Sequence, residues 1–355
     1  MNNDKIIVGI SRFSNIGGIT CYINSILHIL QQVPIFADYI YSEHFVESLK
    51  QNFPQEHLMK QTTSYELHRL FIASINNDNS SITPTTFKNI IGTKNSMWNE
   101  RNHQDSQEFL SFLIATLEEE TGSKVKFVPN ISDNNHYLSQ NFLASLAWAQ
   151  FQHNEYSLLK NIFDGMFNIQ LKCICCSNIS NNYEPFTTLQ VAIPTKNSME
   201  MFKEFSIENC LEHLCSNEKL DRRNMYNCNM CGVKNRGFKQ TSLWRTPKLL
   251  VIHIKRFGFQ TQKLVNKITY PLYDLNIGDY IHDESPDKFN SLYDLIGVNL
   301  HQDFGGINAG HYTSLVKNRF DNNWYLFNDA REPIQIKKKE DLQNKDAYLL
   351  FYYKK

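Results

Sequence analysis

Hydrophobic positions in the first part of the chain recur with helical spacing. In residues 21–33 they fall on one face of a helix, with Thr20 as the expected N-cap and Pro34 as the stop. The members of this stripe are Ile23, Ile26, Leu27 and Leu30. A second stripe predicts a helix over about 104–121, ended by Gly122. Weaker periodic segments predict helices at 64–76, 84–92, 154–163 and 207–216.

The pattern changes after about residue 165. Short β-branched and aromatic runs separated by turn residues follow one another: MFNIQLKC, TTLQVAI, KLLVIHIKRF, YDLIGVNL, HYTSLVKN, NWYLFND and DAYLLFYYKK. Such runs predict antiparallel strands. We therefore expect an α+β fold, in which a helical lobe packs against a sheet lobe. Since no Pro-, Gly- or Ser-rich linker interrupts the 355 residues, a single domain is expected.

Composition and charge narrow the class of protein. The 36 basic and 36 acidic residues cancel, which argues against a general nucleic-acid or membrane-surface binder. The start of the chain carries no signal-peptide pattern, and the apolar runs are too short to span a membrane. Eight cysteines without disulfide-framework spacing favour a reducing compartment. We expect a soluble, intracellular protein.

Cys21 is a candidate nucleophile. It follows the expected N-cap, so it would lie in the first turn of a helix, where the helix dipole and free N–H groups favour a thiolate. Gly17 and Gly18 just upstream would let the backbone approach a substrate closely. The alternative is an inert buried thiol.

His311 and Asn328 are candidate partners of Cys21. His311 opens a predicted strand whose antiparallel partner ends at Asn328, so this hairpin should place the imidazole beside the amide. A cysteine, a histidine and an asparagine in this order form the set that a thiol hydrolase needs: nucleophile, base and orienting amide. His301 is a competing base without a comparable partner. Between the two histidines, residues 302–310 contain three glycines and are expected to form a mobile loop.

Two Cys-x2-Cys pairs predict a metal site. Cys173 with Cys176, and Cys228 with Cys231, supply four thiolates for a closed tetrahedral zinc site. A closed site of this kind has a structural role. Coincidence among eight cysteines is the alternative, and Cys175 is expected to point elsewhere.

Six blocks of the chain, in order, resemble the ubiquitin-specific protease family. The family's cysteine box is similar to the segment GISRFSNIGGITCYIN, and its Gln-Gln-Asp helix is similar to the segment NHQDSQEFLSFL. The two knuckles resemble its fingers, and TPKLLVIHIKRF resembles the strand that leaves them. GHY with WYLFND is similar to the histidine box, and DAYLLFYYK to the last strand.

The resemblance implies one catalytic domain over 9–353 with a papain-like, thumb-palm-fingers arrangement. The helical thumb would cover about 9–160, the zinc-bearing β fingers 161–246 and the antiparallel β palm 247–353. Cys21 would be the nucleophile, His311 the base and Asn328 the orienting residue, with Asp329 as a second or substitute acidic partner. Zinc would be a structural cofactor.

The resemblance also implies a substrate. Asp105 and Glu108, at i and i+3 on one face of the second helix, would read the arginines of ubiquitin's tail, and Tyr312 would also contact the substrate. A solvated acidic face is the alternative for the two carboxylates. Ubiquitin and ubiquitinated proteins are the expected partners, nucleic acid and membranes are not, and the protein is expected to act as a monomer.

One departure from the family pattern concerns the oxyanion. The family's asparagine donor stands five positions before the cysteine, whereas Asn15 stands six before Cys21. Gly17 and Gly18 could absorb the extra residue as a bulge.

The candidate residues and the resemblance together make a deubiquitinating thiol hydrolase the leading function. The alternatives are a protease for another ubiquitin-like modifier and a catalytically weak ubiquitin-binding module. A secreted papain-like protease fits less well.

Overall fold

A computed structural model describes residues 9–76, 80–123, 138–152, 156–195, 203–257, 263–306 and 309–355. Within them, nine α-helices precede residue 165: α1 Cys21–Leu30, α2 Pro34–Tyr41, α3 Glu43–Asn52, α4 Glu56–Met59, α5 Thr63–Ile75, α6 Thr85–Lys94, α7 Ser106–Thr121, α8 Gln140–Gln152 and α9 Leu158–Phe163. A tenth, α10, spans Ile207–Leu214. None of the helices in these ranges is long and apolar enough to cross a membrane.

The predicted helices are present with shifted ends. The first one ends at Leu30, and Pro34 occupies the first turn of the next helix, where its missing N–H costs nothing. The helix predicted over 104–121 begins at Ser106, because the side chain of Asp105 accepts hydrogen bonds from the backbone N–H groups of Gln107 and Glu108. Asp105 is thus the cap of α7 and not part of a helical face.

The strands follow in chain order. They are β1 Arg12–Phe13, β2 Ser81–Ile82, β3 Gly165–Cys173, β4 Ile179–Phe186, β5 Leu189–Ala192, β6 Phe205–Ser206, β7 Glu218–Leu220, β8 Tyr226–Cys228, β9 Val233–Asn235, β10 Gly237–Arg245, β11 Leu249–Lys255, β12 Ile268–Thr269, β13 Leu275–Asn276, β14 Leu292–Gly306, β15 Ala309–Lys317, β16 Trp324–Phe327, β17 Ile334–Ile336 and β18 Ala347–Lys354.

Two sheets dominate the second half of the chain. An eight-stranded sheet has the order β17-β16-β15-β14-β18-β11-β5, with β13 beside β14, and forms the palm. All its pairings are antiparallel except β11 with β5. A four-stranded sheet, β4-β3-β10-β7, forms the fingers. The α+β arrangement of helical thumb, β palm and β fingers is therefore confirmed.

The range predicted for the fingers, 161–246, also contains elements that pack elsewhere. Strand β5 pairs in register with β11 of the palm, and α10 packs against β5. The segment 302–310, expected as a mobile loop, is mostly paired in the β14–β15 hairpin, where Gln302 lies opposite His311. Residues 307–308 lie outside the described residues.

The palm sheet is buried on both faces. Along β11, Leu249 and Val251 belong to the core shared with the thumb helices, while Leu250 and Ile252 belong to a second core on the opposite face. This alternation follows from the two-residue period of a strand. Helix α1, all of whose residues are buried, lies against β15 and β14 in the first of these cores. Its N-terminus, with Cys21, therefore lies beside the palm.

Candidate functional site

Cys21 lies at the start of α1 and is buried. The backbone N–H groups of Tyr312, Tyr22 and Cys21 itself face the sulfur and lower its pKa, whereas Asp329 raises it. Burial is the largest effect and raises the pKa of Cys21 to about 11. The helix start was expected to favour a thiolate; that argument omitted the cost of burying the charge. Burial of the sulfur therefore favours the neutral thiol.

The N-cap of α1 differs from the expectation. Thr20 occupies the cap position, but its side chain makes no capping hydrogen bond to the helix. Its hydroxyl instead accepts a hydrogen bond from the backbone N–H of Ile16 (2.8 Å), and its own backbone N–H donates to Asn15 Oδ1 (2.7 Å). Thr20 therefore closes the loop that precedes Cys21.

His311 and Asn328 lie together, as the hairpin predicts. Strand β15 pairs with β16 from Ser314 opposite Phe327 onward, so the start of one strand lies at the end of the other. His311 Nε2 is 2.8 Å from Asn328 Oδ1. Because an amide oxygen only accepts, this contact places the proton on Nε2 and leaves Nδ1 as the basic nitrogen. His311 also directly precedes Tyr312, whose N–H faces the Cys21 sulfur.

Asp329 joins the loop before Cys21 to the end of β16. Its backbone has φ 50°, in the left-handed region that Asp tolerates better than most residues. Asp329 Oδ2 accepts from Asn15 Nδ2 at 2.9 Å, and Oδ1 accepts from Asn24 Nδ2 at 2.8 Å. The distance from Asp329 Oδ2 to His311 Nε2 is longer, 3.7 Å. Asp329 thus contacts two amides more closely than it contacts the imidazole.

The extra residue before Cys21 is accommodated at the two glycines. Gly17 and Gly18 have φ 63° and 76°, values that a residue with a Cβ adopts only at a cost. The resulting turn brings Asn15 to Asp329 beside the imidazole of His311. The structure therefore places Asn15 within the same cluster as the other candidates.

A cleft of about 810 Å³ opens between the start of α7 and the palm. Its walls include Asp105, Glu108, Tyr312 and Tyr348. Tyr312 is buried, and its ring packs 4.6 Å from that of His301. His301 is also buried, which lowers its pKa to about 4, so it is a neutral wall of the cleft rather than a second base.

The two carboxylates differ in their surroundings. Asp105 Oδ1 caps α7, while its Oδ2 accepts a hydrogen bond from the Tyr348 hydroxyl at 2.5 Å. Glu108 is exposed to the cleft, and partial burial followed by the charge of Asp105 raises its pKa. The simple picture of a solvated acidic face does not describe Asp105, which is committed to contacts within the protein.

The four knuckle cysteines converge at the end of the fingers. All four sulfurs lie within 4.8 Å of one another, with Cys173 to Cys231 at 3.8 Å and Cys176 to Cys228 at 3.6 Å. These separations are far longer than a disulfide, about 2.05 Å. They allow one metal ion to contact all four sulfurs. The backbone N–H of Cys176 faces the Cys173 sulfur and lowers the pKa of that thiol.

Each knuckle closes in the same way. The residue after it, Ser177 or Gly232, has a left-handed φ and donates its backbone N–H to the carbonyl of the first cysteine of the pair. Cys175 is exposed, and its sulfur contacts Asn235 Oδ1 at 3.1 Å instead of joining the cluster.

Asn24 was not among the residues predicted from the sequence. It lies one helical turn after Cys21, is fully buried, and donates to Asp329 and to the Phe13 carbonyl. A polar residue in a mostly apolar helix was the available signal, because a buried amide must find hydrogen-bond partners. Tyr348 gave no such signal, since it is one of several aromatic residues in β18.

Comparison with known proteins identifies the class. The family model described as ubiquitin carboxyl-terminal hydrolase matches residues 11–352. The chain belongs to this family.

Two relatives illustrate the match. The chain is 31% identical to ubiquitin carboxyl-terminal hydrolase Usp2 of Drosophila melanogaster, over 99% of this chain and 35% of the relative. It is 29% identical to ubiquitin carboxyl-terminal hydrolase 4 of Saccharomyces cerevisiae, over 98% of this chain and 39% of the relative. The chain thus spans little more than a third of either relative.

A solved structure supports the fold. The SAGA Ubp8/Sgf11/Sus1/Sgf73 DUB module bound to ubiquitin aldehyde matches with a TM-score of 0.71 and 22% identity, over 99% of this chain and 71% of that one.

Proposed function

We propose that this chain is a cysteine-type deubiquitinase that cleaves the bond after the C-terminal glycine of ubiquitin. The observation that carries the proposal is the contact between His311 and Asn328 at 2.8 Å, together with the N–H of the adjoining Tyr312 that faces the sulfur of Cys21 at a helix start. Family membership supplies the substrate class, and the likeness to a fold bound to ubiquitin aldehyde is consistent with it.

The chemistry assigned to the three residues is acyl transfer. Nδ1 of His311 takes the proton of the Cys21 thiol as the sulfur attacks the carbonyl carbon of ubiquitin's terminal glycine. The amine of the target then leaves with the proton from His311, and a thioester remains on Cys21. Water, deprotonated by His311, hydrolyses the thioester and releases ubiquitin. Asn328 holds the imidazole in the required tautomer throughout.

Asn15 is assigned as the donor to the oxyanion that forms on the attacked carbonyl. Its amide has two N–H groups, and one of them is used by Asp329. The other remains for the negative charge of the tetrahedral intermediate. Asp329 then acts by positioning Asn15, and Asn24 by positioning Asp329. The alternative of a catalytically weak binding module was based on the shifted position of Asn15. The contact between Asn15 and Asp329 weakens that alternative.

The cleft between α7 and the palm is assigned to the tail of ubiquitin. Its carboxylates, Asp105 and Glu108, have the charge that arginine side chains require. Tyr312 would pack against the extended tail.

We also infer that the four knuckle cysteines bind zinc with a structural role. A tetrahedral zinc ion about 2.3 Å from each sulfur requires sulfurs about 3.8 Å apart. The separations of 3.8 and 3.6 Å fit this requirement. The proposal includes three further points. Ubiquitinated proteins are the targets, and the protein acts as a monomer. It works in a reducing intracellular compartment, which preserves free thiols.

The test uses ubiquitin with a C-terminal fluorophore and ubiquitin with a C-terminal electrophile. Wild type should release the fluorophore, and the electrophile should label Cys21 alone. Cys21→Ala should abolish both reactions while still binding ubiquitin. Cys175→Ser, which changes an exposed thiol outside the cluster, is the matched control and should react like wild type.

The same experiment separates the alternatives. Electrophiles built on ubiquitin-like modifiers, compared at equal concentration, would react faster than ubiquitin if one of them were the substrate. Binding without fluorophore release in wild type would identify a ubiquitin-binding module. Labelling of a different cysteine would refute the assignment of the nucleophile.

A further inference from the structure

A second cavity, of about 380 Å³, lies where thumb, palm and fingers meet. Helices α2 and α9 form one wall, and the connection from β10 to β11 together with the end of β18 forms the other. None of its lining residues lines the cleft described above or belongs to the catalytic or cysteine clusters. The cavity is a separate site whose chemistry needs its own explanation.

The palm wall of this cavity is positively charged. It carries Arg245, Lys248 and Lys354 against a single carboxylate, Asp287. The Arg245 guanidinium lies 4.4 Å from the centre of the Trp148 ring. Neither Arg245 nor Lys248 forms an ion pair with any residue that the structure describes. The wall therefore has an excess of two positive charges at neutral pH.

Lys354 is the buried member of this group. Its side chain is only 5% exposed, and Nζ donates to Thr246 Oγ1 at 2.8 Å. Asp287 Oδ2 is 3.8 Å from Nζ and already accepts from the Thr246 backbone N–H and hydroxyl. Burial lowers the pKa of Lys354, Asp287 raises it, and Lys248 and Arg245 lower it further. An ammonium group has three donors, so Lys354 retains capacity to bind an anion.

The thumb wall is of a different kind. Ile35, Tyr39 and Ile162 give it a mainly apolar surface, and Asn161 and Asn290 also line the cavity. A cavity of 380 Å³ is within the usual range for small-molecule sites and larger than one oxyanion requires. The occupant should therefore combine an anionic group with an apolar body.

We propose that this cavity binds a small organic molecule bearing a phosphate group, with the phosphate against Lys354, Lys248 and Arg245 and the organic part against the thumb wall. A phosphate monoester carries a charge of about −1.5 to −2 at pH 7. This charge balances the two excess positive charges of the palm wall better than a single carboxylate does. Since the ligand would touch helices of the thumb and strands of the palm together, its binding should stabilise their packing.

Binding is measured by calorimetry with three probes. Phenyl phosphate combines both features, inorganic phosphate lacks the apolar body, and phenol lacks the charge. We expect phenyl phosphate to bind more tightly than inorganic phosphate, and phenol not to bind at the same concentrations. Phenyl phosphate should also raise the melting temperature of the protein.

Three charge variants locate the site. Lys248→Glu, at an exposed position, should weaken phenyl phosphate binding by roughly tenfold or more. Asp287→Asn should tighten it, because the amide oxygen can still accept from Thr246 while the repulsive charge is gone. Lys338→Glu makes the same change of net charge at an exposed residue outside the cavity and should leave binding unchanged.

The proposal is overturned if phenyl phosphate does not bind wild type at millimolar concentration. It is also overturned if Lys248→Glu and Lys338→Glu behave alike, which would mean binding elsewhere or by net charge. Because Cys21→Ala protein should bind the probe like wild type, the result is independent of the proposed hydrolase activity.

Discussion

Neighbouring residues at the end of β16 have different surroundings. Asn328 Oδ1 lies 2.8 Å from His311 Nε2, whereas Asp329 Oδ2 lies 3.7 Å from it and 2.9 Å from Asn15 Nδ2. The sequence left Asn328 and Asp329 as rival partners of the histidine. The left-handed backbone at Asp329 turns its carboxylate toward Asn15 and Asn24, so the two residues have separate assignments.

Asn15→Ala should lower kcat by on the order of 10²-fold, the usual loss for one oxyanion donor. KM should change little, because the contact forms only as charge develops on the carbonyl oxygen. Asp329→Ala should have a similar effect, and the double variant should be no worse than either single one, since Asp329 acts through Asn15. Steady-state release of a fluorophore from ubiquitin measures all three.

Asn328→Ala is the comparison for this test. It should alter the pH profile of kcat, because the imidazole loses its orienting partner, whereas Asn15→Ala should not. Additive losses from Asn15 and Asp329 would instead mean that Asp329 acts on His311 directly.

From residue type, order and a single hairpin, the sequence predicted Cys21, His311 and Asn328 as catalytic candidates, and His311 and Asn328 do lie together. It could not give the state of the thiol. Free N–H groups at the helix start and burial act on the pKa of Cys21 in opposite directions, and only the packing of α1 against the palm determines that burial is larger. Asn24 was missed because its partner, Asp329, is 305 residues away.

Asp105, at the start of α7, uses its two carboxylate oxygens for different contacts. Asp105 caps the helix through Oδ1 and contacts the Tyr348 hydroxyl of β18 through Oδ2. Reversing its charge would remove the cap as well as any contact with the substrate. Glu108, exposed on the cleft wall two residues into the helix, offers the cleaner test.

Glu108→Arg should raise KM for ubiquitin substrates more than it lowers kcat, because the loss is mainly in binding a basic tail. Asp105→Asn keeps an oxygen for the cap and should also raise KM, by less. Thermal denaturation establishes that both variants are folded. An unchanged KM in both would assign these carboxylates to the protein's own packing.

The two cysteine knuckles predict that bound zinc stabilises the fingers. Metal analysis of the purified protein should find about one zinc per chain. Cys176→Ser and Cys231→Ser should lose zinc and lower the melting temperature, since a closed metal site contributes to folding. Cys175→Ser is the matched control, because this thiol is in the same knuckle but contacts Asn235. A stable, active, metal-free protein would contradict the site.

Periodicity predicted α7, which buries a long stripe, and also α6, which buries only Phe87 and Ile91. It missed α3, which buries only Phe45 and Leu49, and α8, which buries only Ala144 and Trp148. The two cysteine knuckles were predictable because spacing alone defines them. The placement of β5 in the palm was not, because its parallel pairing with β11 depends on contacts distant in sequence.

For the molecule as a whole, three histidines couple folding to pH: His28 and His301 are buried, and His253 is half-buried. Burial lowers the pKa of His28 to about 3 and those of His253 and His301 to about 4. In the unfolded chain each has a pKa near 6.5. Above that value both states are neutral and no stability is lost. As the pH falls below it, the unfolded chain takes up protons that the folded protein cannot, so stability declines until the pH reaches the folded pKa.

His28 is suited to isolating this effect. It lies in the middle of α1, stacked between Phe327 at 4.4 Å and Phe13 at 4.9 Å, and neither ring nitrogen has a partner among the described residues. His28→Phe keeps the aromatic stack and removes the proton. At pH 5 it should recover about 2 kcal/mol of unfolding free energy relative to wild type, and little of this at pH 7.5. Denaturant titrations at the two pH values measure the difference.

Equal gains at both pH values for His28→Phe would mean that the variant improves packing and that protonation is not the cause. A full pH effect that survives in His28→Phe would assign the acid sensitivity to other groups. The cleft histidines His253 and His301, which have the same direction of shift, are then the next residues to test.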